Sequence, residues 1–595
     1  IITMDDRMPR AEAVAVREGR FVAVGTLDEV RQAAGPGHVL DETLARSWAI
    51  AGLIDQHLHP MLAATTLTTH VIAPETWQMP RRTFAATPTE QEWDRRLLAA
   101  DGDLAADEWL FSWGFHSQWH GTMSRQRLDA LVKGRPVAVW QRSCHEWYLN
   151  TVALERIGLT EEMTRGHGPA SSQIDFGRGH FWENGWMLVL SMHLMPHFMT
   201  EARFREGLAQ MTEYLHMNGV TAINEPGIYW RNEPWPLYQE MLGAPDVPFE
   251  STFLVEGRTQ PVRGLSGAQL VDDAREQVAR GTGTKVRVLD RHVKLFCDGA
   301  IISQLMQMKE PYLDGAGRPD PSHHGEWMME PGTLREVFDA YWDAGWQVHI
   351  HVNGDLGLET VLDVLEDAQA RTPRDDHRTV VVHFANSAEA QVERIARLGA
   401  IVSANPYYPV GFADKYAQWG LGPERADMMV RAGSVRRHGI PLSYHSDLPM
   451  CPSDPLMMAS WGATRITHSG RVAGPSQRIT AHDALRAVTI ESAYSWRREH
   501  ELGSVTAGKL ANMTVLGADP LSIDPSLWGT VPVLGSVYGG EWFPVNPELV
   551  ARRVSRPGAV AVSNTDCAHD ADASSCGCAV AGFLASYAAR HGWAA

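Results

Sequence analysis

Ala51-Gly52-Leu53-Ile54-Asp55-Gln56-His57-Leu58-His59-Pro60 is the stretch that decides the fold of this chain. A short apolar run ends in His-x-His, which predicts a buried strand bounded by breakers. Residues i and i+2 of a strand point to the same face, so His57 and His59 direct two imidazoles to one place at the strand end. Two aligned imidazoles suit a divalent metal such as zinc. Taken alone, however, such a pair is more often two ordinary polar residues before a loop.

Seven more apolar runs follow, and most of them precede a helical pattern. Each run is short, rich in Val, Ile, Leu or Phe, and bounded by Gly, Pro, Asn or Asp. Strands that alternate with helices indicate parallel βαβ units, and eight such strands predict an α/β fold, a (β/α)₈ barrel of the TIM type. The predicted strands are 50–57, 219–225, 249–256, 292–297, 346–351, 379–384, 401–405 and 441–447.

The rest of the chain predicts additions to this barrel. Residues 1–48 and 499–548 contain short strands with turns, and they predict one small β-sandwich domain built from both chain ends beside a barrel domain at 49–498. Residues 61–218 are too long for a barrel loop and predict an inserted lid subdomain after strand one. Eleven of the 21 tryptophans lie from Trp77 to Trp235, either as the core of this subdomain or as a pocket for a bulky apolar or aromatic substrate.

Composition excludes several classes of partner. The net charge of −18 provides no basic field for a nucleic acid or an anionic membrane. No apolar run approaches the ~20 residues of a membrane-spanning helix. Cys144, Cys297 and Cys451 are far apart and predict no disulfide framework, so we expect a cytoplasmic protein.

Five of the predicted strands end in, or carry, side chains suited to metal chemistry. Active sites of such barrels lie at the carboxyl ends of the strands, so these side chains should meet. A buried lysine is costly unless it has a partner, and Lys294 lies inside an otherwise apolar strand. Together the residues predict a metal-centred hydrolase site. They are His57, His59, Lys294, His351, His383 and Asp447.

Several motifs resemble one family. The combination, in this order, resembles the amidohydrolase superfamily of metal-dependent hydrolases, and more closely its amidohydrolase-3 branch, which includes the N-substituted formamide deformylases. The resemblance covers about residues 1–545 and is specific for the fold but weakly specific for the substrate. The motifs are 52–59, 294–299, 351–355, 382–383, 446–447 and 503–512.

The resemblance implies a role for each of these residues. His57, His59 and Asp447 would bind the more buried metal, and His351 and His383 the second. Lys294 matches a family lysine that CO₂ carbamylates, and the carbamate then bridges two metals. Without carbamylation we expect a single metal and an ammonium that stabilises charge or contacts substrate. The cofactor would be one or two divalent ions, zinc first, with manganese or iron as alternatives.

The implied reaction is hydrolytic. The metal generates hydroxide and polarises a carbonyl group. Asp447 takes the water proton and passes it to the leaving amine, so Asp447 and Lys294 are the catalytic candidates. His145 and His116, both in the insertion, are the candidate substrate contacts; the alternative is that they are satisfied polar groups of the subdomain.

Three residues beside the ligand positions depart from the family pattern. Cys297 is either a core residue, which we favour, or an extra soft ligand. His349 and His445 precede predicted ligands by two residues on their strands, so each is either an outer-shell group or a substitute ligand.

The tail at 549–595 lies outside the resemblance. It contains a helix-like stretch and a cluster of Cys567, His569, Cys576 and Cys578. These residues predict either a closed zinc site or a flexible tail docked by its helix, and we favour the second. If the helix packs on a neighbouring subunit, a homodimer is the expected assembly.

The leading functional hypothesis is therefore hydrolysis of an amide-type C–N bond in a small, non-peptide molecule. A second hypothesis keeps the metal but makes the protein a lyase (decarboxylase) or an oxygenase that uses iron or manganese. The third is a non-catalytic protein with a relic site, which the complete ligand set disfavours.

Overall fold

Eight parallel strands form the centre of the computed structural model, which describes residues 1–182, 184–228 and 234–556. They pair in chain order, and this confirms the predicted barrel. Beyond the first and last strands, Asp447 N–H donates to the carbonyl oxygen of His57 (2.9 Å) and His59 N–H to that of Leu448 (3.0 Å), which joins the two edges. The strands are β1 (Leu53–Asp55), β2 (Val220–Ile228), β3 (Glu250–Glu256), β4 (Val286–Phe296), β5 (Gln347–Val352), β6 (Val380–His383), β7 (Ile401–Ala404) and β8 (Leu442–Tyr444).

Helices cover the outside of the barrel. In Asp355–Arg371 the buried residues Leu358, Val361, Leu362 and Leu365 recur at helical spacing, and this apolar face supplies most of the helix's stability. The helices of the barrel region are Pro60–Leu67, Glu201–Met217, Trp235–Met241, Thr259–Val262, Ala268–Arg280, Pro331–Asp343, Asp355–Arg371, Glu389–Leu398, Tyr407–Gly411, Ala413–Gln418, Pro423–Asp427, Ala432–Arg437, Pro455–Thr464, Ala481–Ala487 and Ile490–Ser495.

Two of these helices cross in very close contact. Pro60–Leu67 begins directly after His59, and Glu201–Met217 packs across it. At the crossing, a Cβ atom on Gly207 would lie 1.8 Å from the carbonyl oxygen of Ala64. Only glycine therefore permits this approach, which holds the chain that follows His59 against the barrel.

The insertion between these two helices has its own sheet. Its aromatic residues are mostly interior, and Trp93, Trp113, Trp140 and Trp147 are fully buried, as a subdomain core requires. The helices are Glu90–Gly102, Ser117–His120, Arg125–Leu131, Thr151–Arg156 and Ser191–Phe198. In sheet order the strands are Ile174–Asp175, His180–Trp182, Glu146–Leu149, Val137–Gln141, Leu110–Phe115 and His70–Val71, with a separate pair at Trp77–Gln78 and Thr83–Phe84.

Both chain ends contribute to a small β-structure beside the barrel. A hairpin at 13–25 is hydrogen-bonded to the late segment at 508–511, for example from Phe21 N–H to the carbonyl oxygen of Lys509 (2.9 Å). The antiparallel sheet has the order Glu541–Pro544, Val533–Tyr538, Met513–Leu516 and Trp48–Ala51. The hairpin strands are Ala13–Arg17 and Arg20–Gly25, and the helices are Leu27–Ala34 and Pro547–Val554.

The first predicted strand, 50–57, is divided between the two sheets. Trp48–Ala51 pairs with Met513–Leu516, whereas β1 pairs with β2 in the barrel. Gly52 lies between them, where a Cβ atom would come within 2.3 Å of the Thr221 hydroxyl oxygen. The strand Trp48–Ala51 thus crosses the domain boundary predicted at residues 48 and 49, and the division into domains stays a prediction.

The predicted tail cluster of Cys567, His569, Cys576 and Cys578 lies outside the described residues. Within the described ranges, no helix combines the length and the apolar character needed to cross a membrane.

Candidate metal centre

Two histidines and an aspartate converge at the carboxyl end of the barrel. His57 Nε2 lies 3.2 Å and His59 Nε2 lies 3.0 Å from Asp447 Oδ1. All three side chains are almost fully buried. Neither histidine is on β1: both follow the strand, and His59 is the N-cap of the helix Pro60–Leu67. The two imidazoles therefore meet through the loop geometry and the hydrogen bonds to 447–448, not through the pleat of one strand.

The donor atoms of this group fit a divalent cation. Those of His57, His59 and Asp447 lie within 4.8 Å of one another. His57 Nε2 is buried yet makes no hydrogen bond to any residue in the described part of the chain, although a carboxylate oxygen is 3.2 Å away. Burial, and after it the nearby Lys294, hold the pKa of His57 well below its usual value. Two imidazoles and a carboxylate form a donor set suited to a divalent metal ion.

Glu225 holds the second imidazole from behind. Glu225 lies in β2, and its Oε1 is 2.9 Å from His59 Nδ1. Burial lowers the pKa of His59, but Glu225 and Asp447 outweigh it and raise that pKa to about 10. A carboxylate on the far nitrogen orients a ligand imidazole and makes it more basic. The sequence prediction did not include Glu225, although its place as the last residue of the predicted strand 219–225 was a usable signal.

His383 and His351 extend the cluster from β6 and β5. The rings of His383 and His57 are 4.9 Å apart, and those of His383 and His351 are 4.3 Å apart. His383 Nδ1 lies 3.9 Å from Asp447 Oδ2. Asn353 donates to His351 Nε2 (2.9 Å), which fixes that ring. β5 and β6 pair His351 with Val382 and Val352 with His383, so the two histidines are offset by one residue in register. His383 has a φ of +76°, outside the extended conformation of the strand, and its ring direction is therefore not set by the regular pleat.

Lys294 lies inside β4 and is completely buried. Its ammonium is 5.4 Å from the centre of the Phe296 ring, and its charge lowers the pKa of both His57 and His445. Among the described residues the ammonium nitrogen has no hydrogen-bond partner. A buried cation with no partner is costly, whereas a carbamylated lysine would be an anion beside the cluster.

The neighbouring residues separate into two groups. His445 belongs to the cluster, because its Nε2 lies 3.2 Å from His383 Nδ1. His349 faces deeper into the barrel, where its Nε2 lies 3.1 Å from His292 Nδ1. Cys297 is buried, its pKa is raised well above the usual value by burial, and its nearest hydrogen-bonding atom is the carbonyl oxygen of Gly357, as in a core residue.

The insertion reaches the loop that follows Asp447. The buried Arg142 guanidinium donates to the carbonyl oxygens of Pro449 and Met450 and pairs with Glu75. His145, three residues later, is also fully buried. The segment that carries this predicted substrate contact is thus tied to the loop after β8.

His116 is the other predicted substrate contact. Its Nδ1 accepts from Gln118 N–H, and its ring packs edge-on against Trp119 at 4.5 Å. Burial lowers its pKa well below the usual value, while its Nε2 has no hydrogen-bond partner among the described residues. His116 Nδ1 therefore makes a structural contact, and a role of this residue in substrate binding stays a prediction.

The amidohydrolase family model matches residues 48–541, which contain the whole barrel, the insertion and the cluster. The chain belongs to the amidohydrolase family. Family membership and the convergent donor set identify a metal-dependent hydrolase with a divalent-metal site. The substrate class is not fixed by this membership, because amidohydrolase folds host many reactions.

Relatives of this amidohydrolase span nearly its full length. A putative amidohydrolase of Bacillus subtilis, YtcJ, is 24% identical and is matched over 91% of this chain and 97% of its own. The N-substituted formamide deformylase of Arthrobacter pascens is 25% identical, over 87% and 92% respectively. An uncharacterized metal-dependent hydrolase of Pyrococcus horikoshii shares the fold, with a TM-score of 0.64, 20% identity and coverage of 86% of this chain and 94% of that one.

Proposed function

We propose that this amidohydrolase hydrolyses an amide-type C–N bond in a small, non-peptide molecule. The observation that carries the proposal is the convergence of His57, His59 and Asp447 at one buried point, with His383 beside them. The resemblance to the N-substituted formamide deformylase of Arthrobacter pascens supports the choice of a C–N bond. N-substituted formamides and related N-acyl amines are therefore the first substrates to test.

His57, His59 and Asp447 would hold one zinc ion, with His351 and His383 as ligands of a second. Such an ion supplies Lewis-acid activation of water and of the substrate carbonyl group. Lys294, once carbamylated by CO₂, would provide the anion that a two-metal site needs. If the lysine is unmodified, its ammonium stabilises negative charge that develops on the carbonyl oxygen.

Asp447 would move the proton. It is buried, its Oδ1 faces the imidazoles of His57 and His59, and its Oδ2 is turned towards His383. A carboxylate in this position accepts a proton from the attacking water and returns it to the leaving nitrogen. The insertion is fixed next to this carboxylate, because Arg142 ties its 142–146 segment to the loop at 449–450.

The test is a substrate panel assayed with the purified protein after its metal content has been measured. Formamides, N-acyl amino acids, cyclic imides and esters would be compared. The readout would be released amine for the first two classes, the ring-opened half-amide for the imides and released alcohol for the esters. We expect amine release from at least one amide substrate, and loss of ~10²-fold or more in Asp447→Asn. Asp272→Asn, a matched change on an exposed carboxylate of the helix Ala268–Arg280, should leave turnover unchanged.

Two outcomes would refute the proposal. One is fewer than ~0.2 metal ions per chain together with no activity after zinc, or manganese with bicarbonate, is added. The other is release of CO₂ without release of an amine from the substrate turned over.

A further inference from the structure

We propose that His445 is a positioning residue that fixes the imidazole of His383, the predicted metal ligand from β6. This inference rests on the metal-dependent function proposed above. His445 is completely buried and follows β8, two residues before Asp447. His445 would thus have a role in metal binding although it is outside the predicted ligand set.

The ring of His445 lies between two predicted ligands. Its Nε2 is 3.2 Å from His383 Nδ1, and its plane stacks on His57 with ring centres 4.5 Å apart and 20° between planes. Tyr408 also approaches His383 Nδ1, with its hydroxyl oxygen at 3.3 Å. The His383 ring is thus held at one nitrogen by two groups from different strand ends.

A chain of polar groups holds His445 on its other side. His445 Nδ1 lies 2.8 Å from Ser403 Oγ on β7. Ser403 is hydrogen-bonded to the side-chain amide of Gln56, and Ser495 donates to Gln56 Oε1 at 3.0 Å. All four side chains are buried. Both nitrogens of His445 therefore have fixed partners, and its ring cannot turn without breaking one of them.

The chemistry of a ligand imidazole requires such a partner. An imidazole that binds a cation through one nitrogen keeps its proton on the other, and that N–H needs an acceptor. His445 Nε2 accepts it when the proton of His445 is on Nδ1 and is donated to Ser403. An apolar side chain of the same size would fill the space but would remove this acceptor from His383 Nδ1, so the ring would be held less firmly.

The experiment is a cobalt(II) titration of the metal-free protein, followed by visible absorption. We compare the wild type, His445→Ala and His445→Gln, whose amide oxygen can still accept a hydrogen bond. We expect cobalt affinity to fall about 10–100-fold in His445→Ala at an unchanged number of ions per chain, with an altered spectrum. His445→Gln should recover most of the affinity. His292→Ala, which removes a buried imidazole bonded to His349 deeper in the barrel, should bind cobalt as the wild type does.

Ser403→Ala is a second test of the positioning role, and it is needed most if His445→Ala does not fold. It removes the hydroxyl that holds His445 Nδ1 but leaves the ring, so a smaller loss of affinity is expected. Equal cobalt affinity in wild type and in both variants would overturn the positioning role. Loss of a whole ion per chain in His445→Gln would also overturn it, because His445 would then be a ligand. If the wild type itself bound no cobalt, the proposed function would fail instead.

Discussion

The crossing of Pro60–Leu67 and Glu201–Met217 at Gly207 makes a stringent prediction about the metal site. In Gly207→Ala the new methyl carbon would lie 1.8 Å from the carbonyl oxygen of Ala64, 2.5 Å from its carbonyl carbon and 2.8 Å from its Cα. All three are backbone atoms of a helix and cannot rotate aside. An ordinary contact begins near 3.4 Å, so the two helices must separate by roughly 1.6 Å.

The expected size of the effect follows from two opposed contributions. Alanine is favoured over glycine inside a helix by roughly 0.5–1 kcal/mol. Overpacking of this kind costs about 1–3 kcal/mol, so the net loss of stability lies between about 0 and 2.5 kcal/mol, and we expect a value near its middle. The helix Pro60–Leu67 starts at His59, and its displacement moves that ligand. A ligand displaced by about 1 Å is enough to spoil a metal site, so the affinity for the ion should fall about tenfold or more.

Gly332→Ala is the matched control. Gly332 lies in the first turn of Pro331–Asp343, is exposed, and would offer its methyl group open space. Thermal unfolding at a fixed metal concentration and a cobalt(II) titration would be run on both variants. We expect the control to be at least as stable as the wild type and to bind cobalt normally. Wild-type stability and affinity in Gly207→Ala would refute the packing argument.

Three further results are expected. Glu225→Gln should weaken zinc binding about tenfold, because the charge behind His59 is lost; an unchanged Kd by calorimetry would contradict this. Arg142→Met should cost about 3–5 kcal/mol in chemical denaturation because Glu75 stays buried without its cation. The double variant with Glu75→Gln should regain part of that loss, and independent, additive effects would argue against the pair. Chelation should lower the melting temperature and added zinc restore it, with ~2.7 kcal/mol at a hundredfold excess of ion over Kd; a melting curve insensitive to zinc would count against a bound ion.

The barrel was predictable from the sequence because each strand is a local pattern. Apolar runs bounded by breakers, with helical periodicity between them, define βαβ units without any long-range information. Strand β6, expected at 379–384, forms at Val380–His383, and β7, expected at 401–405, forms at Ile401–Ala404. The ends of these two strands differ by at most one residue, as hydrogen-bonded boundaries do.

The run 50–57 shows where local pattern fails. Nothing in its composition distinguishes a strand that continues into the barrel from one that stops at Gly52 and pairs elsewhere. The choice is made by Met513–Leu516, more than 450 residues later, which pairs with Trp48–Ala51. As a result, His57 and His59 were expected on the strand and lie beyond it.

The candidate site was predictable to the extent that its residues are identified by position at strand ends. His57, His59, His383 and Asp447 come together in the structure, and Lys294 is buried beside them. Glu225 was missed because a carboxylate at a strand end is common and its partner, His59, is far away in sequence. The contact between His445 and His383 could not be predicted for the same reason, because it depends on the register of β6, β7 and β8.

Because Trp48–Ala51 pairs with Met513–Leu516, the sheet that contains both strands can be completed only late in synthesis. Ribosomes add about 5–20 residues per second, so the early strand leaves the ribosome roughly 20–90 seconds before its partner. Throughout that interval Trp48–Ala51 has an unpaired edge. For most of it His57 and His59 also lack their contact with Asp447, because that residue has not yet been synthesised. Nascent chains of this protein should therefore depend on chaperone protection until Met513–Leu516 has been translated, and slow codons before that segment should lengthen that dependence.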